Sequence, residues 1–270
     1  MQTAEEFDPI SIQLKDGAME APWYHFSIDD IFECLIEVTD RNIPLFQHPV
    51  FSFLKELHTK YGVHIGLHVF LQREIDGKLR SLKEVRDLQD EIKSEGSFLH
   101  FGPHALDFPT MPFSQSKEEQ IETFDEIYKE IDRIAGKESY SRWVRLHFYS
   151  EMYELADYFK EKGVEALFST DRPVGSHRMP DEIKQQLIQK GSATYEGMNF
   201  IRTQFRVEFF TSDRLDISAI ENNFKNSIDQ YGYVIFYTHE YEIIRSEVRQ
   251  SLRLSLEALS KLSIKSVHRI

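Results

Sequence analysis

Residues 23–30 read WYHFSIDD, an apolar segment that runs directly into two adjacent carboxylates, Asp29 and Asp30. The aromatic and β-branched residues over 23–28 predict a buried strand. Carboxylates at the mouth of a buried strand are costly unless a metal or another charge neutralises one of them. The segment therefore predicts a functional site at a strand end. The alternative is that one of the two aspartates caps a following helix.

Short apolar runs alternate with helical patterns on the carboxyl side of this segment. Strands are predicted at 23–28, 63–70, 97–101, 142–149, 164–169, 201–210 and 233–238. Helices are predicted at 48–60, 83–93, 117–135, 151–161, 181–190, 217–230 and 242–260. Seven strand–helix units predict an α/β fold, either a (β/α) barrel with one unit missing or distorted or an open doubly wound sheet. In both folds the functional residues lie at the carboxyl ends of the strands.

Composition limits the class of protein. Hydrophobic residues make up 41% of the 270 residues, which is enough for a sizeable core and excludes a disordered chain. Lys and Arg total 32 against 45 Asp and Glu, a net charge of −13, so nucleic acid is not an expected partner. No break in composition divides the chain, which predicts one domain over 1–270, with an N-terminal extension at 1–20 and a C-terminal helix within 242–270.

The same sequence predicts a cytoplasmic protein without a membrane partner. No signal-peptide pattern is visible at the N-terminus, and no apolar run reaches the length of a spanning helix. The single cysteine, Cys34, cannot form an internal disulfide and fits a reducing compartment. The oligomeric state cannot be read from these features.

Two histidines follow the third predicted strand, in His100-Phe101-Gly102-Pro103-His104. Gly102 and Pro103 indicate a shaped loop, and imidazoles four residues apart can bind one divalent ion. The alternative is two unrelated loop histidines. A second pair with this spacing, His64 and His68, is interpreted as core or interface histidines.

The fourth predicted strand, 142–149, places Arg145, His147 and Tyr149 on one face and apolar residues on the other. The polar face would point into a barrel mouth, where Arg145 and His147 need acidic partners. The alternative is an edge strand with one face in water.

Two more strand ends carry titratable groups. His239 follows the strand at 233–238 and is a candidate general acid or base, unless Thr238 simply caps the last helix. Asp171 follows the strand at 164–169 and either orients another group or belongs to a turn.

The order of these motifs over residues 20–245 resembles the polysaccharide deacetylases, carbohydrate esterase family 4. The resemblance implies a distorted (β/α)7 barrel. It also implies that Asp29 is the catalytic base and Asp30 a metal ligand, with His100 and His104 as the other two ligands in a His-x-x-x-His motif.

The later motifs match in part. The resemblance implies that Arg145 orients the base and that His239 is the catalytic histidine. Two departures concern the metal site: Phe101 stands where the family has Ser or Thr, and His147 stands where the family has Pro. In divergent members that keep only the second histidine of the metal motif, a histidine of the third motif completes the site. His100 and His147 therefore compete for the third ligand position.

These features predict a metal-dependent hydrolase that removes an acyl group, most simply N-acetyl, from a carbohydrate. The expected cofactor is one divalent ion, Zn or alternatively Co, Ni or Fe. One alternative is a non-catalytic descendant that binds a carbohydrate or a protein. Another is a hydrolase that cleaves a non-peptide C–N bond in a small molecule. Candidate substrate-contacting residues at strand ends are Trp23, Phe101, Asp171 and Tyr241, with Tyr24 and Phe108 as further aromatics that could stack on a sugar or fill the core.

Overall fold

The computed structural model describes residues 22–150, 152–170, 179–210 and 216–268. The strands are β1 (Trp23–Ile31), β2 (Ile65–Phe70), β3 (Gln72–Ile75), β4 (Lys78–Ser81), β5 (Leu99–Ala105), β6 (Trp143–Val144), β7 (Ala166–Ser169), β8 (Ser192–Tyr195), β9 (Met198–Arg202), β10 (Phe205–Arg206), β11 (Tyr233–His239) and β12 (Lys265–Ser266). The α-helices are α1 (Glu33–Asp40), α2 (Pro49–Tyr61), α3 (Gln89–Ser94), α4 (Lys117–Ala135), α5 (Ala156–Glu161), α6 (Asp181–Lys190), α7 (Ile217–Tyr231), α8 (Glu240–Ile243) and α9 (Ser246–Lys261).

The parallel strands follow one another around a ring. One sheet has the order β10-β11-β1-β2-β5, and a second has β6-β7-β9 with β8 antiparallel at its edge. The Ser141 amide donates to the Phe101 carbonyl (2.7 Å) and joins the two sheets on one side. On the other side β9 pairs with β7, and the Gln204 amide just after β9 donates to Ile235 of β11 (3.0 Å). This is the predicted distorted (β/α)7 barrel, with β9 and β10 sharing one position and the distortion at the short strand β6.

Local sequence explains the helices that were predicted most accurately. Helix α4 begins at a capping box in which Ser116 and Glu119 hydrogen-bond each other's backbone amides (3.2 and 2.8 Å). Helix α2 ends at Gly62, whose left-handed φ of 65° suits the residue that closes a helix. Helices α4 and α6 have the predicted bounds because each has a strong start or stop signal.

The prediction of one strand over 142–149 is wrong. Strand β6 stops at Val144, and Phe148 and Tyr149 take left-handed φ values of 54° and 49° in a short 3-10 turn. Arg145, His147 and Tyr149 therefore do not share one face of a strand, as the alternating pattern predicted.

The expected loop at Gly102-Pro103 is also wrong. Strand β5 continues through both residues to Ala105, and Gly102 pairs in parallel with His68 of β2. Proline has no amide hydrogen to donate to a neighbouring strand, so it is tolerated only at strand positions where the ladder does not need that donor.

Other bounds differ less. The element predicted at 201–210 is split into the end of β9, strand β10 and a 3-10 turn, and the helix predicted at 242–260 is split into α8 and α9. The helix predicted at 151–161 is α5 after a 3-10 turn, and that at 83–93 is α3, while residue 151 lies outside the described residues. Helix α1 and the β3–β4 hairpin were not predicted.

The C-terminal segment returns to the barrel. After α9, strand β12 pairs with the start of β1, and the Val267 amide donates to the Tyr24 carbonyl (2.9 Å). Among the described residues, no helix is both long and apolar enough to cross a bilayer. Cys34 is a buried free thiol.

Candidate metal centre and catalytic site

A cavity of about 420 Å³ opens at the carboxyl ends of the barrel strands. The loops that follow β5 and β6 form one wall, and the ends of β1 and β11 form another. It is lined by Asp29, Asp30, His104, Phe108, Arg145, Leu146, His147, Phe148, Tyr149, Thr170, Arg206, Tyr237, His239 and Tyr241. Chemistry-bearing residues from separate parts of the sequence therefore meet at the predicted end of the barrel.

A break in β1 brings both aspartates to this cavity. Successive residues of a regular strand point to opposite faces. Asp30 has a left-handed φ of 63°, and the pairing of β1 with β2 shifts register between Ile28 and Ile31. Because the alternation is interrupted there, Asp29 and Asp30 both line the cavity although they are neighbours in sequence.

Three potential ligand atoms converge beside Asp30. Its Oδ1 lies 3.1 Å from His104 Nε2 and 3.6 Å from His147 Nδ1, and those two nitrogens are 3.0 Å apart. All three residues are buried. Tetrahedral ligands at about 2.0–2.1 Å from a zinc ion lie about 3.3 Å from one another, close to these spacings.

The hydrogen bonds behind the two imidazoles leave lone pairs toward Asp30. His104 Nδ1 donates to the Arg145 carbonyl (2.7 Å), and His147 Nε2 donates to the Phe108 carbonyl (2.9 Å). Each neutral ring then presents its second nitrogen without a proton. Two lone pairs and a carboxylate that share one point repel each other unless a cation lies between them. These residues fit a divalent metal ion.

Asp29 lies beside this centre and is held by two donors. Its Oδ1 accepts from His68 Nδ1 (2.8 Å) and from Arg145 Nη1 (3.1 Å). Burial alone would raise the pKa of Asp29, but the Arg145 charge and the His68 hydrogen bond outweigh it and hold that pKa well below its usual range. Both contacts go to Oδ1, so Oδ2 is the oxygen left to face a bound ligand.

Arg145 is fully buried and tightly held. Its guanidinium donates to Ser27 Oγ (2.6 Å) and Thr203 Oγ1 (3.1 Å) as well as to Asp29, and it stacks 4.2 Å from the centre of the Tyr237 ring. A buried arginine needs a paired charge, which Asp29 supplies. Both terminal nitrogens, Nη1 and Nη2, have hydrogen-bond acceptors, whereas the buried Nε has none among the described residues. Arg145 therefore lies where an orienting residue for Asp29 is needed.

His239 completes the cavity from β11. Its Nδ1 lies 2.7 Å from Glu208 Oε1, and its ring stacks 5.1 Å from that of Tyr241. Burial lowers the pKa of His239, but the acidic groups of Glu208, Asp29 and Asp30 together raise it by more than burial lowers it, so the net change is upward. The imidazole is therefore poised to carry a proton at the edge of the cavity.

The structure separates His100 from this site, although the sequence made His100 and His147 competing candidates for the third ligand position. Both lie in strand β5, where four residues span about 13 Å. Among the described residues, His104 groups with Asp30 and His147, whereas His100 groups with His64 and His268 at the other end of the barrel. Of the two candidates for the third ligand position, His147 is therefore the one that lies beside Asp30 and His104.

Some of the expected substrate-contacting residues line the cavity and others are buried elsewhere in the barrel. Trp23 begins β1 and packs on Trp143 and Tyr233, far from the carboxyl ends, and Phe101 is a core residue. Neither lines the cavity, because Trp23 lies at the amino end of β1 and Phe101 lies four residues before the carboxyl end of β5. Tyr24 is likewise buried in the core. Tyr241 and Phe108 do line the cavity, and Asp171 lies outside the described residues.

Sequence reasoning missed two polar residues of the site. His68 was interpreted as a core or interface histidine, and it is fully buried, but its buried partner is Asp29. Glu208 carried no motif at all. The sequence predicted a strand over 201–210 and so placed Glu208 inside it, whereas strand β10 ends at Arg206 and Glu208 lies just beyond a strand end.

The fold was compared with known proteins. No protein-family model matches the sequence, and no curated protein is significantly similar to it. A Mycobacterium smegmatis structure assigned as a polysaccharide deacetylase aligns over 98% of this chain and 92% of its own, with a TM-score of 0.57 and 12% identity. A 4-alpha-glucanotransferase from Thermococcus litoralis aligns over 91% of this chain but 37% of its own, with a TM-score of 0.51 and 13% identity. The resemblance that the motif order indicated is thus confirmed for the architecture, and the chain has a polysaccharide deacetylase-like fold.

Proposed function

We propose that this chain is a metal-dependent hydrolase that removes an acyl group, most simply N-acetyl, from a carbohydrate. The observation that carries the proposal is the convergence of Asp30, His104 and His147 on one point, with Asp29 beside it. A binding protein would have no need to hold an ionised carboxylate and a proton-carrying histidine around such a point.

Asp30, His104 and His147 would hold the ion. A divalent metal in an open three-ligand site polarises a carbonyl group and lowers the pKa of a bound water toward about 7. The mixed nitrogen and oxygen donors suit zinc, and also cobalt, nickel or iron. Because the cavity lies directly over the ligand atoms, a substrate can reach the open position.

Asp29 would accept the proton of the attacking water. A general base must be ionised and within reach of that proton. Arg145 and His68 would keep Asp29 ionised and hold Oδ1, which leaves Oδ2 to take the proton. The low pKa of Asp29 makes it a weak base by itself, and it suits only a water that has already been made acidic.

His239 would donate a proton to the leaving nitrogen. An amine is expelled from a tetrahedral intermediate only after it is protonated, and an imidazolium is the ordinary donor near neutral pH. Glu208 holds the ring by its far nitrogen and favours the charged form. The C–N bond of the amide breaks, the carbonyl carbon takes the water oxygen, and acetate and a free amine result.

Aromatic rings around the cavity support a sugar as the acyl carrier. Phe108, Phe148 and Tyr241 line it and remain 46%, 43% and 45% exposed. Large apolar side chains that stay exposed around a polar centre suit stacking on the apolar face of a sugar ring.

The experiment is an assay of acetate release from a panel of N-acetylated sugars by the zinc-loaded protein. We expect activity in the native chain and its loss in Asp30→Ala and His147→Ala, with His48→Ala, a histidine outside the site, as the matched control. Full activity in His147→Ala would refute the ligand set. A protein that holds zinc at Asp30, His104 and His147 but releases no acetate from any of these sugars would refute the proposed substrate. In that case the binding protein and the small-molecule hydrolase become the readings to test.

A further inference from the structure

Three histidines meet at the amino-terminal end of the barrel, opposite the cavity. His64 immediately precedes β2, His100 is the second residue of β5, and His268 follows β12. Their ligand nitrogens all lie within 4.8 Å of one another. None of these residues takes part in the proposed hydrolysis.

The cluster is assembled by long-range contacts. Strands β2 and β5 pair with Gly66 opposite His100, and His64 lies two residues before Gly66, with its Nδ1 3.0 Å from His100 Nε2. The C-terminal segment is brought to them by the His64 amide, which donates to Ser266 Oγ (3.0 Å), and by His25 Nδ1, which donates to the Val267 carbonyl (3.0 Å). These contacts place His268 directly over the pair.

We propose that His64, His100 and His268 form a second transition-metal site, which fastens the C-terminal segment to the barrel. Neutral imidazoles are ligands for zinc, copper and nickel rather than for magnesium or calcium. His100 is buried while His64 and His268 are partly exposed, so an ion can enter from solvent and still be partly shielded from it.

The ligand spacing sets what must move when the ion binds. Ligands of a tetrahedral zinc lie about 3.3 Å apart, and the His64–His100 nitrogen pair is already at 3.0 Å. The His268 ring stacks on both others, with ring centres 4.1 Å apart in each case. A stacked ring cannot direct its in-plane lone pair at the same ion, so His268 has to turn edge-on. His268 follows the two-residue strand β12 and lies outside any helix or strand.

The site differs from the catalytic one in chemistry. The Asp30 site includes a carboxylate, whereas this cluster consists of three nitrogen ligands.

The experiment is zinc stoichiometry of the untagged, metal-stripped chain after equilibrium dialysis against micromolar zinc, read by elemental analysis. We expect two ions per chain in the native sequence and one in His268→Ala. His104→Ala should also retain one ion. The double variant His104→Ala/His268→Ala should retain none, and His58→Ala, a neighbouring histidine outside the cluster, should retain two.

A thermal readout separates this site from the catalytic one. Zinc should raise the unfolding temperature of His104→Ala, since a ligand that binds only the folded chain stabilises it, and His268→Ala should abolish that rise. No zinc on His104→Ala, or an unchanged stoichiometry in His268→Ala, would overturn the proposal. Neither result would bear on the proposed hydrolase, whose ligands are Asp30, His104 and His147.

Discussion

The main-chain amide of Arg145 donates to Nε2 of His68 (3.2 Å), and the side chains of both residues contact the same oxygen, Oδ1 of Asp29. The carbonyl of Arg145 accepts from Nδ1 of His104 (2.7 Å). One residue thus connects the proposed base to the proposed metal centre. Strand β6 ends at Val144, so the backbone groups of Arg145 bond to the two histidine side chains and not to a neighbouring strand.

Replacing His68 should separate its two contacts. In His68→Asn the amide nitrogen lies near the place of Nδ1 and can still donate to Asp29, whereas in His68→Gln it lies near the place of Nε2. Loss of a group that orients a metal-site residue costs about 10–100-fold. We expect kcat to fall about tenfold in His68→Asn and about a hundredfold in His68→Gln, with KM nearly unchanged. Equal losses in the two variants would contradict a role through Asp29.

Breaking the buried ion pair should destabilise the chain. Arg145→Met leaves the buried Asp29 carboxylate without its cation, and removing one partner of such a pair costs about 3–5 kcal/mol. Adding Asp29→Asn removes the remaining charge, so the double variant should recover part of the loss in urea unfolding of the metal-free protein. Additive losses would show that the two side chains do not interact.

The pair of His239 and Glu208 should make stability depend on pH. The folded-state pKa of His239 is raised above its usual 6.5, so its contribution is fully present below pH 6.5 and is lost as pH rises through the folded-state value. Glu208→Gln should lower the pKa of His239, as followed by NMR of the metal-free protein, and should reduce this dependence. An unchanged titration would mean that Glu208 does not hold the charged ring.

Phe148 should be replaceable with a gain in stability. Its φ of 54° is unfavourable for a bulky residue by about 1 kcal/mol, and its ring is 43% exposed. Asparagine tolerates this conformation, so Phe148→Asn should unfold at the same or a higher temperature while KM for the acylated sugar rises. A marked drop in unfolding temperature would show that the Phe148 ring stabilises the fold, and would contradict a role for it in substrate binding alone.

The predicted strand at 23–28 and the helix at 117–135 could be read from the sequence because local pattern and capping determine them. Asp29, Asp30 and His239 could be placed at one end of the barrel for a related reason, since parallel strands all carry their carboxyl ends to the same side. The resemblance added an expectation for each of their roles, which stays a proposal.

The ligand set depended on tertiary structure. His100 and His104 have metal-ligand spacing in the sequence, and only the continuation of β5 through Gly102 and Pro103 shows that they lie at opposite ends of the barrel. His147 reaches His104 because strand β6 ends at Val144 and a 3-10 turn begins at His147, which the local sequence pattern did not predict.

The sequence by itself therefore determined most of the main strands and helices and the end of the barrel at which polar side chains collect, because periodicity and chain direction are local properties. Tertiary structure alone decided that His147 rather than His100 joins Asp30, that His68 holds Asp29, and that His268 reaches His64 and His100. Those pairings join residues between 39 and 204 positions apart. Their distances follow from strand register and a backbone bulge, which the packing of the whole chain fixes.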